Sequence, residues 1–482
     1  MLDDLPIPLD RSAPEPLSVQ VADALRAAAT DRVLRVGDRL PSSRALAQRL
    51  GVSRTVVAGA YDQLHAEGWL TGKHGSGTYL STAPAPAPHT TASHHHPDPD
   101  ADLLDLSPGA PCAEAVDSAA WRRAWRAAGD QAPETRKNRA GEPDFRTAVA
   151  DHLLRHRGLA AGPGSVVLAT AGTSSAVVEL ATALLRPGDT VAIEDPGYLR
   201  AVGAFRAAGI EVLPVPVDAG GLCVDRIPAG VRAVYCTPAH QFPLGAMMPA
   251  SRRVEIVEFA RTTGALIIED DYDGELRYDT APLPLLASMA PDVVVHLGTT
   301  SKIIATTLGV GWLVARPDIT DAVLTHRAHI GTSPSPAGQH VLSEFARHGD
   351  LARHLRRLRR AVPPRRALVV DELARHGLPV LGDDAGSHVV VELPDLAAEH
   401  HAIDTARTRG VRLDGLARHH LAEPHRFGVA IGYTALTSTD LARAVPIAAD
   451  CLAQASRGQP GAVVAWTPES GTTPPTIERV ST

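Results

Sequence analysis

The sequence predicts two folded units: an N-terminal winged helix-turn-helix, and a C-terminal α/β domain with a mostly parallel sheet and a smaller α+β subdomain. Three observations predict this. Residues 41–70, PSSRALAQRLGVSRTVVAGAYDQLHAEGWL, hold two short helical patterns broken at a glycine. Residues 82–104 are rich in Pro, Ala and His, without apolar periodicity. Beyond them, continuous apolar runs alternate with helical stretches, as parallel strands covered on both faces do.

In the first unit, residues 1–81, Ser42 or Ser43 can cap the first helix, which turns Ala45, Leu46 and Leu50 to one face. Gly51 permits the turn and Ser53 caps the second helix, whose buried stripe is Val56, Val57, Ala60 and Leu64. Ser53, Arg54 and Thr55 then stand at the end of a recognition helix where base edges are read, with Ser43 and Arg44 beside them. Lys73, His74 and Gly75 open a glycine-tipped hairpin, the wing. The chain carries a net charge of −7, yet residues 39–61 contain Arg39, Arg44, Arg49 and Arg54 and no acid, which is one basic face.

The segment 82–104 reads as a semi-extended linker, and its three consecutive histidines as solvated linker residues. No metal site is expected. Four scattered cysteines without a C-x-x-C pair exclude a disulfide framework and fit a reducing cytosol. The start, MLDDLPIPLD, lacks a signal pattern, and no apolar run suggests a membrane span, so the expected compartment is cytoplasmic.

The large domain is expected over 105–457, with strands at 165–169, 190–194, 231–236, 264–268 and 292–297 and helices at 174–186 and 251–263. Residues 364–450 form the smaller subdomain, with a strand at 387–393, and 458–482 form a disordered tail. The chain has only three lysines, Lys73, Lys137 and Lys302. Lys302 closes LGTTSK just past a strand, where α/β sheets bind ligands, and its amine can do imine chemistry that arginine cannot. Carboxylates in IIEDDYDGELRY, past another strand, can pair a pyridinium nitrogen. In ATAGTSSAVVEL a glycine turn opens a helix with small hydroxyls, a geometry that suits phosphate.

Residues 17–81 resemble the GntR-type winged helix, through LPSSRALAQRLGVSRTVVAGAYDQLHAEGWL and GSGTYL. The later motifs, with EDPGYLR at 194–200 and TPAHQFPLG at 237–245, resemble fold-type I aminotransferases. Over about residues 17–450 the chain resembles the MocR/GabR regulators, which join the two. The resemblance implies that Lys302 carries pyridoxal 5′-phosphate (PLP) as a Schiff base. Asp270 pairs the pyridine nitrogen, Tyr272 the 3-hydroxyl, and Tyr198 stacks on the ring. Gly172, Thr173, Ser174, Thr299 and Ser301 line the phosphate, and Arg200 meets an effector carboxylate. His240 lies near the ring, with a plain core histidine as the alternative. The implied partners are double-stranded operator DNA, a small amine or amino-acid effector, and a second copy of the chain in a homodimer. The implied function is a PLP-responsive transcription regulator; a PLP-dependent aminotransferase carrying a DNA-binding domain is the alternative. Two positions depart from the family pattern. Gly309 stands where a phosphate-binding arginine is usual, and Ala430 where a carboxylate-binding arginine is usual.

Overall fold

The computed structural model describes residues 7–73, 77–82, 100, 102–132, 135–162, 164–277, 284–382 and 384–457. His74 and Gly75, most of the linker and the whole tail fall outside the described residues. The chain divides into two units, Met1–Pro99 and Asp100–Thr482.

The first unit holds α1 (Leu17–Thr30), α2 (Ser43–Leu50), α3 (Arg54–Ala66) and an antiparallel pair, β1 (Leu70–Lys73) and β2 (Gly77–Leu80). Ser42, not Ser43, caps α2, accepting from the Ala45 amide at 3.2 Å, and Ser53 caps α3 through Val56. Gly51 ends α2 in the left-handed conformation, φ 63°, which the two-helix turn requires. The core is Val21, Leu25, Leu34, Leu46, Ala47, Val57, Ala60, Tyr61 and Leu64. The stripe on α2 thus runs through Ala47 rather than Ala45, which is exposed. At 100° per residue, 46, 47 and 50 share the face that meets α3, and 45 does not.

In the second unit, β3 (Leu104–Asp105) pairs in parallel with a strand at Val411–Arg412, so the folded domain begins before the expected boundary at 105. The chain continues through α4 (Ser118–Gly129), α5 (Pro143–Arg157), β4 (Val166–Thr170), α6 (Thr173–Leu184), β5 (Thr190–Asp195) and α7 (Leu199–Ala207). Then come β6 (Glu211–Asp218), β7 (Gly221–Leu222), β8 (Ala233–Cys236), α8 (Ala250–Thr263), β9 (Leu266–Asp271), α9 (Leu286–Met289), β10 (Val294–Thr299) and β11 (Gly311–Ala315). The last part is α10 (Pro317–Ile330), α11 (Pro336–Arg347), α12 (Asp350–Arg375), β12 (His388–Leu393), α13 (Leu396–Thr408), β13 (Val411–Arg412), β14 (Asp414–Gly415), β15 (Phe427–Gly432) and α14 (Ser438–Arg457).

The large sheet has the order β4-β11-β10-β9-β8-β5-β6-β7. From β10 to β6 the strands are parallel; β11 is antiparallel to both its neighbours. Alternate residues of each strand feed two separate cores. Ala192, Val234, Ile267 and Val294 face one; Ile193, Tyr235, Ile268 and Val295 face the other. Period-2 alternation with both faces apolar explains the continuous apolar runs. The smaller subdomain is a three-stranded sheet, β12-β15-β14, backed by α13 and α14. The helix α12, which packs on α14 and β12 as well as on α11, begins at Asp350, before the expected start at 364, and runs through Pro363 and Pro364.

Candidate functional site

The site lies at the carboxyl ends of the strands, where an open α/β sheet has its crevice. Lys302 follows β10 by three residues, and Asp270 is the penultimate residue of the neighbouring β9, in register with Leu297. Alternation decides what each acid of the EDDYD run faces. Asp271 points to one core and pairs with Arg157 at 2.7 Å. Asp270 points to the other, where Tyr235 donates to its Oδ2 at 2.5 Å. Among the described residues the buried Asp270 Oδ1 has no hydrogen-bond partner, and burial pushes the carboxyl up to about 6. An uncompensated buried acceptor is costly unless a ligand completes it.

The Lys302 amine donates to the Gly109 carbonyl. Burial lowers its pKa, opposed by the acids Asp273 and Asp270. An amine so placed is more readily neutral and nucleophilic than a surface lysine. Tyr272, buried, shares its hydroxyl with His240 Nδ1 at 3.0 Å; the same nitrogen meets Asp273 at 3.0 Å. Tyr198 caps α7, and its hydroxyl meets the Ser174 hydroxyl at 3.0 Å. Gly172, at φ 105°, turns β4 into α6, so Thr173 and Ser174 lie at a helix N-terminus with free amides. Across from it, Thr299 and Ser301 bond to each other at 3.0 Å, and a Cβ on Gly172 would stand 3.7 Å from the Thr299 hydroxyl. The structure thus gathers Lys302, Asp270, Tyr272, Tyr198, His240 and both halves of the hydroxyl-lined cup at one crevice. Arg200 is exposed on α7, within electrostatic reach of Lys302 and Tyr198.

The two departures have local causes. Gly309 ends the short turn Thr306–Leu308 at φ 61°, a conformation that disfavours arginine. Ala430 is fully buried on β15 in an apolar cluster with Val217, Leu244, Val390 and Leu416. Arg426 does not replace the missing cation: it binds Glu392 at 2.6 and 2.9 Å.

In the first unit, Arg44, Ser53, Arg54 and Thr55 are exposed around the α2–α3 turn, with Arg54 Nε 3.5 Å from the Ser43 hydroxyl. Lys73 ends β1. Arg11, overlooked in the sequence, reaches the same turn, donating to the Gly51 carbonyl at 2.8 Å. Sequence reasoning also missed Tyr235 and Gly109. Tyr235 sits within an apolar strand and Gly109 in an irregular loop, so neither carries a motif.

An exposed basic helix-turn-helix joined to an aminotransferase-type crevice defines a class of two-domain transcription regulators. Residues 17–80 match the family of bacterial regulatory proteins, gntR family, and residues 101–444 match aminotransferase class I and II. The chain is 36% identical over 375 residues to the HTH-type pyridoxine biosynthesis transcriptional regulator PdxR of Corynebacterium glutamicum, covering 77% of this chain and 82% of that protein. It is 30% identical over 454 residues to the probable rhizopine catabolism regulatory protein MocR of Rhizobium meliloti, covering 89% and 92%. Among solved structures, the second unit is similar to the kynurenine aminotransferase of Pyrococcus horikoshii, with a TM-score of 0.67 and 23% identity, over 73% of this chain and 91% of that one. The chain belongs to the MocR family of HTH-type transcriptional regulators, with a GntR winged helix and an aminotransferase class I and II domain. The fold family of that domain is PLP-dependent. Among the described residues no helix is long and apolar enough to cross a membrane.

Proposed function

We propose that this regulator responds to PLP held on Lys302, and that the cofactor, alone or joined to an amine or amino acid, sets its affinity for operator DNA. The observation that carries the reading is the juxtaposition of two groups at the ends of adjacent strands: a half-buried amine at Lys302, just past β10, and a carboxylate oxygen of Asp270 on β9 without a partner among the described residues. PLP supplies an aldehyde for a lysine amine and a ring that withdraws electrons. Lys302 provides that amine. Asp270 Oδ1 accepts from the pyridine nitrogen, and Tyr272 bonds the 3-hydroxyl. Tyr198 covers the ring, and His240 holds the Tyr272 hydroxyl. Gly172, Thr173, Ser174, Thr299 and Ser301 give donors to the phosphate. Arg200 is the cation at the mouth for an effector carboxylate. Arg44 and Arg54 contact the operator, with Ser43, Ser53 and Thr55 beside them and the wing residues Lys73, His74 and Gly75 following. A homodimer on paired half-sites, acting in the cytoplasm where such DNA lies, completes the reading.

Robust transamination is disfavoured by Ala430, whose apolar surroundings leave no arginine at that position. The test is fluorescence anisotropy with a duplex selected from a random pool, titrated with PLP. Operator affinity should change about fivefold or more. An affinity unmoved by PLP overturns the proposal. Loss of cofactor absorbance on adding amino acids would favour the aminotransferase alternative instead.

A further inference from the structure

We infer that Tyr235 is the positioning residue of the cofactor site: it clamps one oxygen of Asp270 so that the other is presented to a ring nitrogen. The inference rests on the PLP reading above and deepens it. Tyr235 is fully buried on β8, beside β9 in the sheet, and its register partner there is Ile268. Its ring packs edge-to-face on Phe205 of α7, with centroids 6.3 Å apart, which fixes where the hydroxyl points. That hydroxyl has one described partner, Asp270 Oδ2, at 2.5 Å. Because the donor is locked on Oδ2, Oδ1 is the oxygen left without a partner.

A hydrogen bond donated to a carboxylate favours its charged form. Asp270 needs that help. Burial pushes its pKa up, and Asp271 beside it on β9 pushes the same way, while Lys302 opposes them. Tyr198 from α7, Tyr272 after β9 and Glu194 on β5 also feel its charge. Without Tyr235, Asp270 would take up a proton nearer neutrality and lose its hold on a protonated pyridine nitrogen.

The experiment measures binding of pyridoxine 5′-phosphate by the full-length protein across pH, through quenching of its tryptophan fluorescence. This probe shares the ring nitrogen and phosphate of PLP but has no aldehyde, so Lys302 titration does not enter through a covalent bond. In Tyr235→Phe, the pH midpoint below which affinity falls should rise by about one unit relative to wild type. In an Asp270→Asn background the same change should move nothing. A stronger donor in the same space, 3-fluorotyrosine at position 235, should lower the midpoint, and it tests the idea even if Tyr235→Phe folds poorly. Equal loss of affinity at every pH, or an unchanged midpoint, overturns the inference and leaves the PLP reading standing. Failure of wild type to bind either this probe or PLP overturns the reading itself.

Discussion

Gly109 lies against Lys302: the lysine amine donates to the Gly109 carbonyl, and a Cβ on Gly109 would stand 2.8 Å from Nζ. The residue also sits at φ 109°, which side chains rarely adopt. Gly109→Ala should therefore displace the amine. The expected result is a visible absorption band with PLP that is lost or at least about tenfold weaker in titration, since a displacement of this kind costs a kcal/mol or more. Lys302→Ala should show no band at all.

Asp270 stands in the fold at the expense of stability. Its pKa rises from 3.8 to about 6, chiefly through burial. A raised carboxyl favours the fold below its ordinary pKa, and that contribution is lost as pH rises through about 6. Asp270→Asn removes the buried charge. Without cofactor, the variant should be more stable than wild type at pH 7.5, by roughly 2–3 kcal/mol from a shift of about two units. The gain should vanish as pH falls through 6 toward 4. Denaturant melts at several pH values measure this. A variant no more stable at pH 7.5 would show that the pocket hydrates the charge.

Among the described residues Arg327 is the largest fully buried side chain, and it ties the cup helix in place. It pairs with Glu179 of α6 at 2.7 and 3.0 Å and donates to the Ala169 carbonyl of β4 at 2.7 Å. Truncating one partner of a buried pair strands the other. Arg327→Ala should cost about 3–5 kcal/mol in unfolding free energy. Urea unfolding tests it; a loss below about 1 kcal/mol, the scale of a surface pair, would contradict it.

On the DNA side, Arg54→Ala should weaken operator binding by about 1–3 kcal/mol if it reads a base, with relaxed sequence preference at that position. Arg44→Ala, if it meets phosphate, should weaken all duplexes alike and reduce the salt slope by about one. Ser53→Ala removes the α3 cap, seen at 3.4 Å to the Val56 amide, and should cost about 1 kcal/mol of stability. Anisotropy at three salt concentrations separates these outcomes.

The sequence by itself determined both domains and most of the crevice. Apolar runs of strand length, an isolated lysine past one of them and a glycine turn before hydroxyls are local patterns with local physical causes. They mark Lys302, the carboxylates of EDDYD and Gly172 before any fold is known. Their roles as a set came from resemblance, because three weak patterns do not specify one ligand. Only the tertiary structure decided which acid of EDDYD faces the crevice. Adjacent strand residues point to opposite faces, so a one-residue difference in register would have exchanged Asp270 with Asp271. It also brought Tyr235, 35 residues away, onto Asp270 and Gly109, 193 residues away, onto Lys302. Those partners lie on a neighbouring strand and a crossing loop. Their contacts depend on strand order and chain path, which composition and periodicity do not encode.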